Sequence, residues 1–324
     1  DCLFLIFFPR EFSTGADSGK NAVSKLPLEF LQGGQTAFLR KEAYGFMKKN
    51  VVIIGLGLIG GSLAKAFQKY SECSVSGIDR DPAVLDAALK SGAIDGVAGE
   101  KELREADILY LCLYPQADID FIQAHGSQIS PHCIVTDTCG IKREICAHLP
   151  QLAEQFGFTF VGGHPMAGKE QNGFAASDAD LFDGASYILV PCGAPQRAVD
   201  TLKALAIELG FGGTVVTTPE HHDTMIAYTS QLPHVLACAY VMSPCCPQHN
   251  GFSAGSYRDV SRVARINEVL WTELFLDNAD ALTGELDILI DNITRISEAV
   301  KQRDADALRG LLRQGRLIKE RLGE

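Results

Sequence analysis

Residues 50–70 read NVVIIGLGLIGGSLAKAFQKY, and this stretch decides the fold. The continuous apolar run at 51–54 is typical of a β-strand that is buried on both faces. Beyond the glycines, the spacing of Leu63, Ala66 and Phe67 is helical. A strand, a glycine turn and a helix in this order indicate the opening of a nucleotide-binding domain.

The same alternation continues along the chain. Strand patterns recur at 74–79, 107–113, 133–137, 158–163, 185–191 and 213–218, with helical stretches near 82–91, 115–125 and 195–209. Strands that alternate with helices predict an α/β fold with a mostly parallel, doubly wound sheet of the Rossmann type. After Pro219 the periodicity is helical, including stretches near 280–300 and 304–322. We therefore predict a dinucleotide-binding domain over 47–218 and an all-helical domain over 219–324.

Composition narrows the class of protein. A chain of 324 residues is long enough for two domains. Its net charge of −11 disfavours nucleic acid and anionic membranes as partners, because both attract basic surfaces. The ten cysteines form no C-x-x-C pair, which favours reduced thiols and a cytoplasmic location. The apolar start, DCLFLIFFP, is too short to span a bilayer, and we expect residues 1–46 to be a disordered leader or an extension.

The sequence GLGLIG at 55–60 predicts how a dinucleotide would be held. Gly55 would form the tight turn, Gly57 would let the backbone approach a pyrophosphate, and Gly60 would let helix and strand pack closely. Leu58 and Ile59 lie in the same turn, at a helix N-terminus that favours phosphate. The strand that follows ends at Asp79, whose carboxylate would accept hydrogen bonds from ribose hydroxyls and repel a 2′-phosphate. This pattern favours NAD over NADP, although the neighbouring Arg80 weakens the preference.

A histidine lies in the glycine-rich stretch GGHPMAG, just past the predicted strand at 158–163. Oxidation of a hydroxyl group by hydride transfer requires a proton acceptor, and a neutral imidazole is suited to that role near pH 7. His164 is therefore the candidate catalytic base. From its position alone, a turn histidine that bonds to backbone is the alternative interpretation.

Several motifs, in order, carry a resemblance to the prephenate dehydrogenase family, which includes arogenate dehydrogenases. They are GLGLIGGSLA, TDTCGIK, GGHPMAGKEQNGFAASDADLF, the HD at 222–223 with SQLPH at 230–234, and GSYRDVSRVA followed by LW. The resemblance spans residues 48 to about 300. It implies NAD-dependent oxidative decarboxylation of prephenate to 4-hydroxyphenylpyruvate in tyrosine biosynthesis, with arogenate as the alternative substrate. It also implies a homodimer formed through the C-terminal helices.

The resemblance further implies roles for individual residues. His164 matches the catalytic histidine, and Arg262 matches the arginine that binds a substrate carboxylate, which a guanidinium can clamp through two hydrogen bonds. Ser230 and His234 are four residues apart on a predicted helix and match the substrate pocket. We also assign Gly255, at the start of GSYRDVSRVA, to the substrate site.

Charged and polar residues near these motifs raise further expectations. Glu170 matches an acidic residue at the pocket entrance of the family, and Lys169 would disfavour the amine of arogenate if it points inward. His222 and Asp223 are expected to orient and cap the start of the helix after Pro219. Neither the adjacent histidines nor the chemistry calls for a metal, so none is expected.

The sequence departs from the family pattern at two positions. Gly140 stands where many members have serine, so the catalytic histidine would lack a hydroxyl partner. Gln231 replaces the first histidine of S-H-L-P-H.

Two other classes of protein compete with this assignment. A β-hydroxyacid-type dehydrogenase would place a catalytic lysine on the helical domain, but Lys301 and Lys319 lack such a motif. A non-catalytic protein that senses NAD(H) would retain GLGLIG without a need for His164 and Arg262.

No strand pattern follows the last helices, so we expect no attached regulatory domain.

Overall fold

The structure is a computed structural model that describes residues 48–169 and 171–323. The expectations for residues 1–46 and for Glu170 lie outside the described residues.

The N-terminal half alternates strands and helices, as the sequence predicts. Its elements are β1 (Asn50–Ile54), α1 (Leu58–Tyr70), β2 (Ser74–Ile78), α2 (Pro82–Lys90), β3 (Gly96–Val97), α3 (Glu100–Glu105), β4 (Ile108–Leu111), α4 (Pro115–His125), β5 (Ile134–Asp137), α5 (Arg143–Phe156), β6 (Thr159–Pro165), β7 (Ser186–Val190), α6 (Gln196–Glu208) and β8 (Gly213–Val216). The short elements β3 and α3 and the helix α5 are additions to the predicted elements. The strand β6 also extends beyond its predicted end, so His164 lies within it rather than past it.

The strands form one sheet in the order β3-β2-β1-β4-β5-β6-β7-β8. All neighbouring pairs are parallel except β6 and β7, which run antiparallel. Connections lead outward in both directions from β1 and β4, and ligands of such sheets bind in the crevice at this switch point, beyond the carboxyl ends of the strands. The prediction of a Rossmann-type, doubly wound sheet is confirmed.

The sheet separates two hydrophobic cores. Val51 and Ile53 of β1 pack on the face covered by α1, α2 and α6, whereas Val52 and Ile54 pack on the face covered by α3, α4 and α5. All four side chains are at most 1 % exposed. Burial on both faces explains why β1 reads as a continuous apolar run.

The C-terminal half is helical, as predicted. Its helices are α7 (Pro219–Ile226), α8 (Leu232–Val241), α9 (Gly255–Ser261), α10 (Glu268–Asp277), α11 (Ala279–Lys301) and α12 (Ala305–Leu322). A π-helical turn, Ala227–Gln231, joins α7 to α8 and places one extra residue in that turn. Among the helices of residues 48–169 and 171–323, none combines the length and the apolar character needed to cross a bilayer.

Candidate active site

A cavity of about 760 Å³ lies where the carboxyl ends of the strands face the helical half. The loops after β1, β4 and β5 contribute Gly57, Tyr114 and Gly140, and β6 contributes His164. The helical half contributes residues from the π-helical turn to α10. The cavity is therefore shared between the two halves and is within the size range of small-molecule sites.

The glycine turn has the geometry that its sequence predicts. Gly55 adopts a φ of +87°, and its N–H donates to the carbonyl of Ile78 at 2.7 Å. A Cβ on Gly60 would lie 1.9 Å from the carbonyl oxygen of Gly55, so a side chain there would prevent α1 from packing on the turn. A Cβ on Gly57 would meet nothing within 4 Å, which leaves space in front of the backbone.

The first turn of α1 fits a phosphate group. It holds no acidic residue, and no side chain caps its N–H groups. Uncapped N–H groups and the positive end of the helix dipole favour an anion at this position. Gly57, Leu58 and Ile59 line the cavity beside this helix end.

Asp79 holds the glycine turn through hydrogen bonds to the backbone. Its carboxylate accepts hydrogen bonds from the N–H groups of Leu56 at 2.8 Å and Asp81 at 2.9 Å. Neither Asp79 nor Arg80 lines the cavity itself, and Arg80 is exposed. The carboxylate thus lies directly after β2 and is bonded to the backbone of the glycine turn.

His164 lies in β6, where the glycine before it allows a close approach. A Cβ on Gly163 would lie 2.5 Å from the carbonyl oxygen of Asp137. The N–H of Gly163 donates to the Asp137 carboxylate at 3.0 Å, and Lys142 forms a buried ion pair with the same carboxylate. These contacts fix the end of β6 against the loop after β5, so that the imidazole of His164 lines the cavity.

The structure corrects the expected role of His222 and Asp223. The cap of α7 is Thr218, whose hydroxyl accepts the N–H of His221 at 3.3 Å. Nε2 of His222 instead lies 2.9 Å from Nδ1 of His164, and Nδ1 of His222 lies 2.6 Å from Asp223. His222 and Asp223 are 2 % and 0 % exposed, so this chain of side chains is closed to solvent behind the cavity.

Asp223 also joins the two halves of the molecule. Its carboxylate accepts the N–H groups of Lys142 at 2.7 Å and Arg143 at 2.8 Å, at the start of α5. The helix that Asp223 caps is therefore α5, across the boundary, and not its own helix.

Burial governs the protonation of this chain. Burial lowers the pKa of His164 well below its ordinary value, and His222 and the ammonium of Lys142 lower it further. Burial also lowers the pKa of His222, against the opposing effect of Asp223. For Asp223, burial raises the pKa, but hydrogen bonds from His222 and from the start of α5 outweigh it and hold the pKa below its ordinary value. At neutral pH both imidazoles are neutral and Asp223 is ionised.

The helical half brings Ser230 and His234 to the cavity. Nδ1 of His234 lies 2.7 Å from the carbonyl oxygen of Ser230, so this nitrogen carries a hydrogen and donates it. The ring stacks on Trp271 with 3.8 Å between centroids. Trp271 lines the cavity but is not among the predicted site residues, although it belongs to the LW pair that follows GSYRDVSRVA. The imidazole is held by a backbone carbonyl on one side and by an indole face on the other.

Gln231 lines the cavity, and its side-chain amide also connects neighbouring helical segments. It is 1 % exposed, donates to the carbonyl of Leu274 at 2.7 Å and accepts from Asn278 at 2.8 Å. Gln231, in place of the histidine of the family pattern, therefore links the π-helical turn to α10 through a buried hydrogen bond.

The other predicted site residues divide between the cavity and its surroundings. Arg262 lines the cavity, whereas Gly255 does not. Lys169 lines the cavity, but its ammonium pairs with Asp178 at 2.9 Å. Its charge is therefore partly neutralised by the protein. At Gly140, a Cβ would lie 3.6 Å from Leu274, so the site has room for a side chain.

The fold and the site together define a dinucleotide-binding oxidoreductase. The chain matches two family models, described as prephenate dehydrogenase, nucleotide-binding domain, over residues 63–216, and prephenate dehydrogenase, dimerization domain, over residues 218–314. It is 33% identical to the prephenate dehydrogenase of Bacillus subtilis, over 81% of this chain and 73% of that protein. It is 34% identical to the cyclohexadienyl dehydrogenase of Zymomonas mobilis, over 80% of this chain and 91% of that protein. The chain belongs to the prephenate dehydrogenase family.

Solved structures have the same architecture. Prephenate dehydrogenase from Aquifex aeolicus, in complex with hydroxyphenyl propionate and NAD+, superposes with a TM-score of 0.76 at 24% identity and covers 86% of this chain and 99% of its own. Arogenate dehydrogenase from Synechocystis superposes with a TM-score of 0.69 at 26% identity and covers 85% of this chain and 100% of its own. The predictions of fold class and family are confirmed.

Proposed function

We propose that this chain catalyses the NAD-dependent oxidative decarboxylation of prephenate to 4-hydroxyphenylpyruvate. The observation that carries the proposal is the position of His164, a neutral imidazole in the wall of a cavity that the glycine turn also lines. The family match supplies the substrate class. We also propose that the predicted site residues perform the roles given to them, and that the two domains meet at residues 218 and 219.

The glycine turn and α1 would hold the pyrophosphate of NAD, and Asp79 would bind the adenosine ribose. The chemistry that bound NAD would supply is acceptance of the hydride that leaves the ring carbon bearing the hydroxyl group. His164 takes the proton of the ring hydroxyl, and the ring carboxylate leaves as carbon dioxide while the ring becomes aromatic. Because aromatisation supplies much of the driving force, the protein mainly orients the substrate and accepts the proton.

Charged groups orient the anionic substrate in a chain that is acidic overall. Arg262 lines the cavity and would bind a substrate carboxylate through its guanidinium. Ser230 and His234 line the same wall and would contact the rest of the substrate.

Arogenate is the second candidate substrate, and His234 provides the observation that favours it. Because Nδ1 of His234 donates to the carbonyl of Ser230, any further partner of the ring meets Nε2. In the neutral ring Nε2 accepts hydrogen bonds, which suits an ammonium group, and it donates toward a keto group only when the ring is protonated. The pairing of Lys169 with Asp178 also weakens the expected repulsion of an amine.

Steady-state kinetics with both substrates tests the assignment. We expect NADH formation with both substrates and a higher kcat/KM for prephenate, because both matching family models are described as prephenate dehydrogenase. A higher kcat/KM for arogenate would reassign the substrate, and no NADH with either would favour a protein that only senses NAD(H). His164→Asn should lower kcat roughly 100-fold or more while NAD still binds. His221→Asn, on the exposed side of α7, is the matched control and should retain wild-type turnover.

A homodimer and a cytoplasmic location complete the proposal. The matched dimerization domain covers α7 to α11 and part of α12, and α11 exposes Ile288, Ile290, Ile293 and Val300 to solvent in the single chain. Large apolar side chains exposed along one helix are typical of a surface that a partner covers. Sedimentation should give twice the 35.0 kDa of one chain.

A further inference from the structure

We propose that His222 and Asp223 are positioning residues that fix which nitrogen of His164 accepts the substrate proton. The chain of hydrogen bonds from Asp223 through His222 to His164 leaves Nε2 of His164 as the base. The kinetic part of this inference rests on the proposed function, whereas the assignment of protons does not.

At Asp223 the donors are unambiguous. The carboxylate accepts backbone N–H groups from Lys142 at 2.7 Å and from Arg143 at 2.8 Å, and both groups can only donate. An ionised carboxylate has only acceptors, so Nδ1 of His222, 2.6 Å away, must carry the hydrogen of that bond. The first turn of α5 stabilises the negative charge, which keeps Asp223 from taking this proton.

The next bond follows from the first. A neutral imidazole carries one hydrogen, so with a hydrogen on Nδ1 the Nε2 of His222 can only accept. Its partner, Nδ1 of His164 at 2.9 Å, must therefore donate. His164 then has its hydrogen on Nδ1 and a lone pair on Nε2.

This proton arrangement matters because an isolated neutral histidine prefers its hydrogen on Nε2. In that tautomer Nε2 cannot accept a proton, and the imidazole would present a donor to the cavity. A carboxylate that orients and selects the tautomer of a catalytic imidazole is an established device in acyl transfer. Here the same task is divided between a carboxylate and a second, buried imidazole.

Nitrogen NMR tests the assignment without substrate. Protein labelled with ¹⁵N at histidine, in its NAD-bound form, should show His164 with its hydrogen on Nδ1, and the His164→Asn spectrum identifies its signals among the eight histidines. In His222→Phe the hydrogen of His164 should move to Nε2. A wild-type signal with the hydrogen on Nε2 would overturn the proposal whether or not any variant folds.

Kinetics supplies the second measurement. His222→Phe should lower kcat roughly 100-fold with a smaller change in KM, because the base is present in the wrong tautomer. His222→Gln, whose amide oxygen can still accept from His164, should retain more turnover than the phenylalanine variant. His221→Phe adds the same side chain at the adjacent, exposed position and should leave kcat unchanged.

The outcomes separate this inference from the proposed function. Wild-type protein that makes no NADH from prephenate or arogenate would refute the function and leave the NMR result standing. A folded His222→Phe variant with wild-type turnover, or equal losses in the glutamine and phenylalanine variants, would overturn the role of His222.

Discussion

The ion pair between Lys142 and Asp137 allows a direct test of how the loop behind His164 is held. Both side chains are 0% exposed. The ammonium of Lys142 also donates to the carbonyls of Cys139 at 2.9 Å and Ile141 at 3.1 Å. Asp137 in turn accepts the N–H of Gly163, next to the proposed base.

Lys142→Met keeps most of the side-chain volume and removes the charge. Asp137 then remains as a buried carboxylate without its cation, and breaking a buried pair in this way costs about 3–5 kcal/mol. At roughly 2–4 °C per kcal/mol for a chain near this size, the Tm should fall by ~6–20 °C. Thermal unfolding followed by circular dichroism measures the change.

Two control variants distinguish the loss of the buried ion pair from the loss of a lysine charge alone. Lys90→Met removes an exposed lysine from an i,i+4 pair with Asp86 and should cost at most about 0.5 kcal/mol. The double variant Asp137→Asn/Lys142→Met removes both charges and should recover part of the lost stability. Equal melting temperatures for the Lys142 and Lys90 variants would refute the reasoning.

Three further predictions concern the cofactor, the base and the loop. Asp79→Ala should raise the KM for NAD about tenfold and reduce the preference of the enzyme for NAD over NADP. Asp79→Asn keeps an acceptor for the N–H of Leu56 and should mainly lose the preference for NAD. A wild-type protein that prefers NADP would contradict this prediction. Because burial, His222 and Lys142 hold the pKa of His164 well below 6.5, the base is lost only as pH falls through that lower pKa. A profile of kcat/KM should stay level from neutral pH down past 6.5, and a fall at 6.5 or above would contradict the pKa direction. Gly140→Ser should fold normally, since a Cβ at this position would lie 3.6 Å from Leu274. It should change kcat by less than about tenfold, because His164 already has a hydrogen-bond partner in His222. A larger gain in kcat would show that His164 lacks a partner in the wild-type protein.

The local parts of this fold could be predicted from the sequence. The apolar run of β1, the glycines of the turn and the aspartate that follows β2 are each encoded within a few residues, and the structure places them as expected. The two-residue strand β3 is too short to produce a periodic pattern, and α5 contains a proline, Pro150, that obscures its helical character.

The partners of His164 could not be found by local patterns. His222 is 58 positions away from His164, and Asp223 is 81 positions away from Lys142. A usable signal was nevertheless present, because His222 and Asp223 share a helical face with Ile226 and Ala227, all of them buried. Two polar residues on an apolar helix face indicate a buried polar contact, and only the fold identifies the partner.

The position of Asp223 has a consequence for the working cycle of the molecule. This carboxylate lies on α7 of the helical half but receives hydrogen bonds from the first turn of α5 in the sheet-containing half. A hinge motion that separated α7 from α5 would break those bonds and would also draw His222 away from His164. We expect the open molecule to exchange substrate and product while His164 lacks its hydrogen-bond partner. The closed molecule would carry out the reaction. Slower hydrogen exchange at the amides of Lys142 and Arg143 when NAD and a substrate analogue are bound would record that closure.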